Sequence, residues 1–350
     1  MSTAKDIEGF LGGEGRKLLF YHQDGDGVCS AALAMKAFPS LEPHVREGPQ
    51  IDGQFIKWLS AQDPKVLFFL DLPVDQEWKK ILALKEKLKG LKIIVIDHHV
   101  IEKDLNKKGI VHYNPRFDQS DIYQPTAYLV YRLFRDKQDI KKSIWVAAMG
   151  TISDHAFEDT KDVLDECGKQ YPGMLEGLQD SRIGEAAKLV SAAITLHGTK
   201  GAKLVLKALA DSKDFYAFAA DPKLNDMRNI VNVEIDRVMR DFEKHKEEDR
   251  MLGTVSCEIE SRMNIISLIA SILARRYPRL IIILRKRSRK GWKVSARWQE
   301  ARYNLGEAIK HAASGIGLGG GHEKAAGAQV SDWKLFWSRL KKEIAEKPAH

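Results

Sequence analysis

The sequence predicts an α/β protein: a parallel-sheet domain with helices on both faces, a helical linker, and a smaller α/β domain. Three observations carry this reading. Over residues 1–195, short wholly apolar runs alternate with helical patterns, as in a parallel sheet covered on both sides. Residues 196–250 are helical in pattern and heavily charged, as a connector is. From residue 251 the order becomes strand, helix, strand, strand, helix, with a glycine-rich segment before a last helix. A chain of 350 residues holds this as two domains more readily than one.

The elements follow in order. Residues 17–21 (KLLFY) form a short apolar strand leading into His22-Gln23-Asp24. Residues 27–38 read as a helix whose small side chains allow close packing on a sheet. Residues 66–70 (VLFFL) are a buried strand ending at Asp71, and 74–88 an amphipathic helix. Residues 93–96 (IIVI) are another buried strand, ending at Asp97-His98-His99; 110–113 is a weaker one. Thr126 is placed to N-cap a helix running to Phe134, and 143–152 forms a further helix. Residues 183–210 and 222–250 are helical. In the last part, 251–259, 280–284 and 292–296 are strands, while 261–276, 305–313 and 333–346 are helices.

Composition narrows the class. Hydrophobic residues make up 44% of the chain, too many for a disordered protein. No apolar run approaches the ~20 residues of a membrane span, and residues 1–17 lack the apolar core of a signal peptide, so a cytoplasmic protein off the membrane is expected. Cys29, Cys167 and Cys257 are too scattered for a disulfide framework or a thiolate metal site, and Cys29 is expected to be a buried filler. Charge is uneven. Residues 251–350 hold 19 Lys/Arg against 8 Asp/Glu, a balance of +11, whereas residues 1–250 stand at −3. A basic C-terminal part fits an anionic partner, most simply nucleic acid.

The chemistry concentrates at strand ends, where open α/β sheets bind ligands. His22, Asp24 and Asp26 alternate, and in an extended segment all three would share one face, with Gly25 and Gly27 allowing a tight turn. Asp71, Asp97-His98-His99 and Asp154 add further oxygen and imidazole ligands. Such a set without thiolates suits Mn²⁺, Mg²⁺, Fe²⁺ or Zn²⁺, and the excess of carboxylates favours Mn²⁺ or Mg²⁺. Near the C-terminus, Gly319-Gly320-Gly321-His322-Glu323-Lys324 offers consecutive backbone amides as an anion nest, with His322 and Lys324 as extra donors.

These motifs resemble the DHH phosphoesterase family. Its motifs match His22-x-Asp24-x-Asp26-Gly27, Asp71, Asp97-His98-His99 and Asp154, and residues 319–327 resemble the GGGH motif of the DHHA1 domain. The resemblance covers nearly the whole chain. It implies two divalent cations, Mn²⁺ before Mg²⁺, bridged by Asp71. His22, Asp24 and Asp71 would hold one; Asp26, Asp71, His98 and Asp154 the other. Two ions ~3.5–4 Å apart activate a water and stabilise charge on phosphorus. Asp97 would orient the metal-bound histidine, and His99 would contact the scissile phosphate or protonate the leaving oxygen. His155 would be a further supporting group or a packing residue. Ser295 and Arg297 match a strand that faces substrate in DHHA1 domains.

The length and the HQDGDG form look most like archaeal RecJ-like exonucleases, among them the nuclease associated with the Hef helicase. The implied function is an exonuclease on single-stranded DNA or RNA in repair, replication or RNA turnover. A repair or replication protein such as a Hef-type helicase and a homo-oligomer are implied as partners. A small-nucleotide phosphodiesterase (oligoribonuclease, pAp phosphatase or cyclic-dinucleotide hydrolase) is the alternative. A non-catalytic scaffold of the Cdc45 type is disfavoured because no metal ligand is lost. Trp298, beside Arg297, is the best base-stacking candidate, and residues 285–290 (RKRSRK) are read as a solvated strand-end turn.

Overall fold

The computed structural model describes residues 2–107 and 109–346. The chain divides into two units between Arg228 and Asn229. In the first, α1 (Ser2–Leu11), β1 (Lys17–His22), α2 (Gly25–Ala37), β2 (Leu41–Arg46), α3 (Gly53–Gln62), β3 (Val66–Leu70), α4 (Trp78–Lys87), β4 (Lys92–Ile96) and β5 (Ile110–Tyr113) build a sheet and its cover. There follow α5 (Thr126–Phe134), α6 (Gln138–Lys141), α7 (Ile144–Ser153), α8 (Lys161–Gln170), α9 (Arg182–His197), α10 (Thr199–Asp211), α11 (Phe215–Ala219) and α12 (Pro222–His245). The five strands are all parallel, in the order β2-β1-β3-β4-β5.

Alternation along the strands makes two cores. Leu19, Tyr21, Phe68, Leu70, Ile94 and Ile96 face a layer built from α2, α5, α7, α9 and α10. Leu18, Phe20, Leu67, Phe69, Ile93 and Val95 face the other way, onto Leu59 of α3 and Ile81 and Leu84 of α4. Both faces are therefore covered, which explains why the central strands are apolar throughout. Residues 196–228 are part of this unit and not of a linker: Ala202, Val205, Leu209, Phe218 and Leu224 are buried in its first core.

Three elements depart from the sequence reading for identifiable reasons. β2 carries Pro43, which removes a ladder donor, and it is tolerated because β2 is an edge strand. Thr126 is the first helical residue of α5 rather than its cap, since Pro125 holds the cap position. The long α12 ends at His245, and residues after it enter a strand.

The second unit continues with β6 (Glu247–Asp249), β7 (Thr254–Glu258), α13 (Ile266–Arg276), β8 (Ile281–Ser288), β9 (Gly291–Arg297), α14 (Leu305–Ala313), β10 (Gly317–Gly321), β11 (Ala325–Val330) and α15 (Trp333–Ala345). Its sheet runs β10-β11-β9-β8-β7-β6; β7 and β8 are parallel and the other pairs antiparallel. Helices α14 and α15 bury Leu305, Ile309, Phe336 and Leu340 against Ile281, Ile283, Val294 and Ala296. Among the described residues no helix is long and apolar enough to cross a membrane.

Helices α2, α5 and α7 meet at Gly150. A Cβ there would lie 2.5 Å from the Ala127 Cβ and 3.1 Å from a carboxylate oxygen of Asp26. Gly150→Ala should therefore cost ~1–3 kcal/mol through overpacking, read as a lower urea midpoint. An unchanged midpoint would mean that the three helices simply move apart.

Candidate metal centre and substrate face

Adjacent strands deliver the candidate ligands to one edge of the first sheet. His22 ends β1, Asp71 follows β3, and Asp97 follows β4. Residues 22–26 are not an extended run with alternate side chains on one face. Asp24 caps α2, its carboxylate accepting from the Gly27 amide at 2.9 Å, and Asp26 lies in the first helical turn. Convergence comes from the turn itself. Gly27 permits it, because a Cβ there would meet the His22 carbonyl oxygen at 2.3 Å.

Asp71 sits in the middle, 1% exposed, with φ +57°, a conformation Asp tolerates better than most residues. Its Oδ2 is 3.4 Å from His22 Nδ1 and its Oδ1 is 3.2 Å from His98 Nε2. Asp24 Oδ2 lies 2.9 Å from His22 Nδ1. Asp154, at the C-cap of α7, places Oδ2 3.5 Å from His98 Nε2. The buried Asp26 carboxylate accepts from the amides of Thr126 (2.6 Å) and Ala127 (2.8 Å), capping α5 from a neighbouring helix. Ligand atoms of His22, Asp24 and Asp71 lie within 4.8 Å of one another, as do those of Asp26, His98 and Asp154, and those of Asp71, His98 and His99.

The electrostatics explain what such a cluster needs. Burial, reinforced by neighbouring carboxylates, holds Asp26 and Asp71 well above the usual carboxylate range and pushes Asp154 up to about 7. Burial opposes the charge of His22, but Asp24 and Asp71 outweigh it and raise the imidazole to about 11. Desolvation opposes the charge of the half-exposed Asp24, but that imidazole lowers it to about 2. Both oxygens of Asp71 and Nδ1 of His98 are buried without a hydrogen-bond partner. A buried carboxylate lacking donors on either oxygen is costly. Divalent cations fit this set: hard oxygens and imidazoles, already convergent, with the orphaned lone pairs directed inward.

Asp97 does not serve the metal-ligand candidate His98, as the sequence suggested. Its Oδ1 is 2.8 Å from His99 Nδ1, and His99 keeps 42% of its side chain exposed. Asp97 orients the accessible imidazole and, with Asp71 and Asp154, raises it to about 9 despite burial. His155 is exposed, contacts Gln179, and stands outside these ligand groups. Sequence reasoning missed three supporting groups. Asn114 Nδ2 donates to the His99 carbonyl at 2.9 Å and Arg116 Nε to the His98 carbonyl at 2.8 Å, fixing the loop that carries both rings. Tyr123 donates its hydroxyl to Asp154 Oδ2 at 3.1 Å. The Asn114-Pro115 turn directly after β5 was the available signal.

The second unit presents the remaining candidates. Ser295, Gly327 and Gly320 are cross-strand neighbours on β9, β11 and β10, and Arg297 pairs with Ala325 beside His322 and Lys324 at the hairpin tip. The glycine run is an edge strand, not a nest, so successive amides alternate in direction. Its glycines differ in purpose. A Cβ on Gly319 would press on Ala313 and the Ile309 carbonyl at 3.0 Å, and one on Gly321 on the Ala325 carbonyl at 2.4 Å. At Gly320 nothing lies within 4 Å, leaving its surface open. Arg297 Nη1 donates to the Ala296 carbonyl at 2.8 Å, and its Nε to Ser271 at 3.2 Å. Among the described residues no carboxylate lies within ion-pairing distance of Arg297. Trp298 is 5% exposed against Tyr303, which removes it as a base-stacking surface, and Cys29 is buried as expected.

Residues 17–152 match the family model for the N-terminal domain of the DHH family, and residues 252–346 match the DHHA1 domain model. Comparison with curated proteins gives no match. Among solved structures, the chain is similar to RecJ from Thermus thermophilus in complex with Mn²⁺, at 18% identity and a TM-score of 0.75. That match covers 99% of this chain but 55% of the RecJ chain, so this protein spans about half its length. The DHH domain of a member of a family of ribosomal proteins matches at 14% identity and a TM-score of 0.78, covering 100% of this chain and 91% of that one. CDC45 from Entamoeba histolytica matches at 10% identity and a TM-score of 0.61, covering 99% of each.

Asp154, pushed up to about 7, is partly protonated near neutral pH, and cation binding must expel that proton. Raised carboxylate values mean that affinity grows with pH. Apparent Mn²⁺ affinity should climb by up to about tenfold per pH unit below about pH 7 and level off above it, the signature of roughly one proton released. Calorimetry in buffers of different ionisation enthalpy reads this directly; a flat profile would show that the carboxylates are already ionised in the free protein.

Proposed function

We propose that this chain, which belongs to the DHH phosphoesterase family and carries a C-terminal DHHA1 domain, is a two-metal exonuclease that degrades single-stranded nucleic acid. One observation carries the proposal: Asp71 directs one oxygen towards the His22–Asp24 set and the other towards the His98 set. A carboxylate shared in this way is what a bridged pair of cations needs. His22, Asp24 and Asp71 would hold one ion, and Asp26, Asp71, His98 and Asp154 the other, with Mn²⁺ favoured over Mg²⁺ by the two imidazoles. When bound, such ions supply Lewis acidity towards a phosphoryl group and lower the pKa of a water nucleophile.

The protein's own groups do the rest. Asp97 accepts from His99 Nδ1 and so leaves Nε2 as the free, exposed nitrogen. An imidazolium held there at neutral pH donates a proton to the departing oxygen. Asn114 and Arg116 keep its backbone in place, so the ring does not have to be reoriented for each turnover. In the second unit, Arg297 has a guanidinium free of carboxylates, near the open surface at Gly320. Its Nε and Nη1 are held by bonds within the unit, which leaves Nη2 to contact a phosphate. The balance of +11 over residues 251–350 favours a polymer over a small nucleotide.

The test uses purified protein, Mn²⁺, and DNA and RNA oligonucleotides of two to about twelve units, labelled at either end. Stepwise release of mononucleotides from one end is expected. His99→Ala should lower kcat by about 10²–10⁴ while Mn²⁺ stoichiometry stays near two. Loss of Mn²⁺ from that variant would instead make His99 a ligand. Activity already maximal on the dinucleotide, with no gain from length, would replace the exonuclease reading with a small-nucleotide phosphodiesterase.

A further inference from the structure

The second unit holds a feature that this mechanism leaves unused. The outer part of the β8–β9 hairpin and the turn before α13 enclose an open recess of about 690 Å³. Five cations line it: Arg262, Lys286, Arg287, Arg289 and Lys293. Arg287 lies 3.6 Å from Glu258, a carboxylate it shares with Arg285. Among the described residues, none of the other four has a carboxylate within ion-pairing distance. Lys286 and Lys293 are directly opposite each other across the ladder, a destabilising arrangement for like charges. Burial, with the Lys293 ammonium added, holds Lys286 below its usual value. Yet both ammonium groups are fixed in place, Lys286 donating to the Met263 carbonyl at 2.7 Å and Lys293 to Asn264 at 2.8 Å. Positive charges that outnumber the nearby carboxylates Glu258 and Glu234 make a site for an anion.

Strand geometry indicates which anion. Lys293, Ser295 and Arg297 are alternate residues of β9 and share a face of the sheet. Lys293 and Arg297 are therefore about 13–14 Å apart along the strand. Two cations so spaced on one face can meet different phosphates of one strand, with the buried Ser295 between them. The balance of +11 over residues 251–350, and Arg297 on the same strand face, favour a chain of phosphates over an acidic peptide.

We propose that this recess is a second phosphate subsite, which grips single-stranded nucleic acid one or two nucleotides beyond the phosphate at Arg297. The inference rests on the exonuclease reading and extends it. The turn at 285–290 is then part of the substrate path and not only a solvated strand end.

The experiment measures binding of fluorescein-labelled oligodeoxythymidylates of two, four, six and twelve nucleotides to the full chain in EDTA, where no turnover occurs. Two double variants are compared with the wild type. Lys286→Gln with Lys293→Gln removes the fixed ammonium groups. Arg262→Gln with Arg289→Gln changes exposed side chains that the fold does not need. Wild-type affinity should rise with length, and both variants should flatten that rise and weaken twelve-nucleotide binding about tenfold. Each pair should also reduce the salt slope by about 1.4, the value for two phosphate contacts on a single strand. If both variants keep the wild-type length dependence and slope, the recess is not a subsite, and the exonuclease reading stands without it. If the wild type itself gains nothing beyond the dinucleotide, the exonuclease reading fails first. Competition by polyglutamate as strong as by oligothymidylate of equal charge would overturn the assignment in favour of an acidic protein partner.

Discussion

The Asp71 carboxylate is the constraint on which the rest of the first unit depends. It is buried at the carboxyl end of the central strand of a parallel sheet, between the imidazoles of His22 and His98, with no hydrogen bond to either oxygen. Nothing in the polypeptide compensates fully for that desolvation. The surrounding structure is nevertheless rigid. Central strands are covered on both faces, a glycine admits the strand-to-helix turn, and two amides of α5 fix Asp26. The scaffold holds negative charge in a geometry that the chain alone does not favour. Such strain is kept where a bound group relieves it.

The two units meet opposite physical demands. The first gathers carboxylates in a buried cluster, where short distances and low polarity make each interaction strong. The second spreads cations across a wide, solvated face, where each contact is weak and the sum matters. This division follows the charge balance along the chain, −3 before residue 251 and +11 after it. Chemistry on a phosphodiester needs the first arrangement, and holding a flexible polyanion needs the second.

Much of this is legible in the sequence alone. The strands at 66–70 and 93–96 declare themselves because burial on both faces leaves only apolar residues. The acids and histidines stand out because they interrupt such runs at the end where ligands bind. What stays hidden is set by tertiary contacts. β2 is disguised by Pro43, and β10 by a run of glycines that reads as loop. The pairing of Asp97 with His99, not His98, depends on which way two adjacent rings turn. Tyr123, Asn114 and Arg116 act from loops that carry no periodic signal. The recess reads as a mere strand-end turn because its partners, Arg262 and Lys293, are distant or inconspicuous in sequence.

The glycine pair Gly320 and Gly327, open at Gly320, has an informational side. A glycine has no side chain with which to read a base edge, and Ser295 beside them is buried. Discrimination between bases requires hydrogen bonds or apolar contacts to their edges, whereas phosphate contacts set position only. A face made of two glycines, a buried serine and a guanidinium can sense spacing and charge while remaining blind to the message the strand carries. For the exonuclease proposed above, that blindness is useful: no base along the strand gives it a reason to pause.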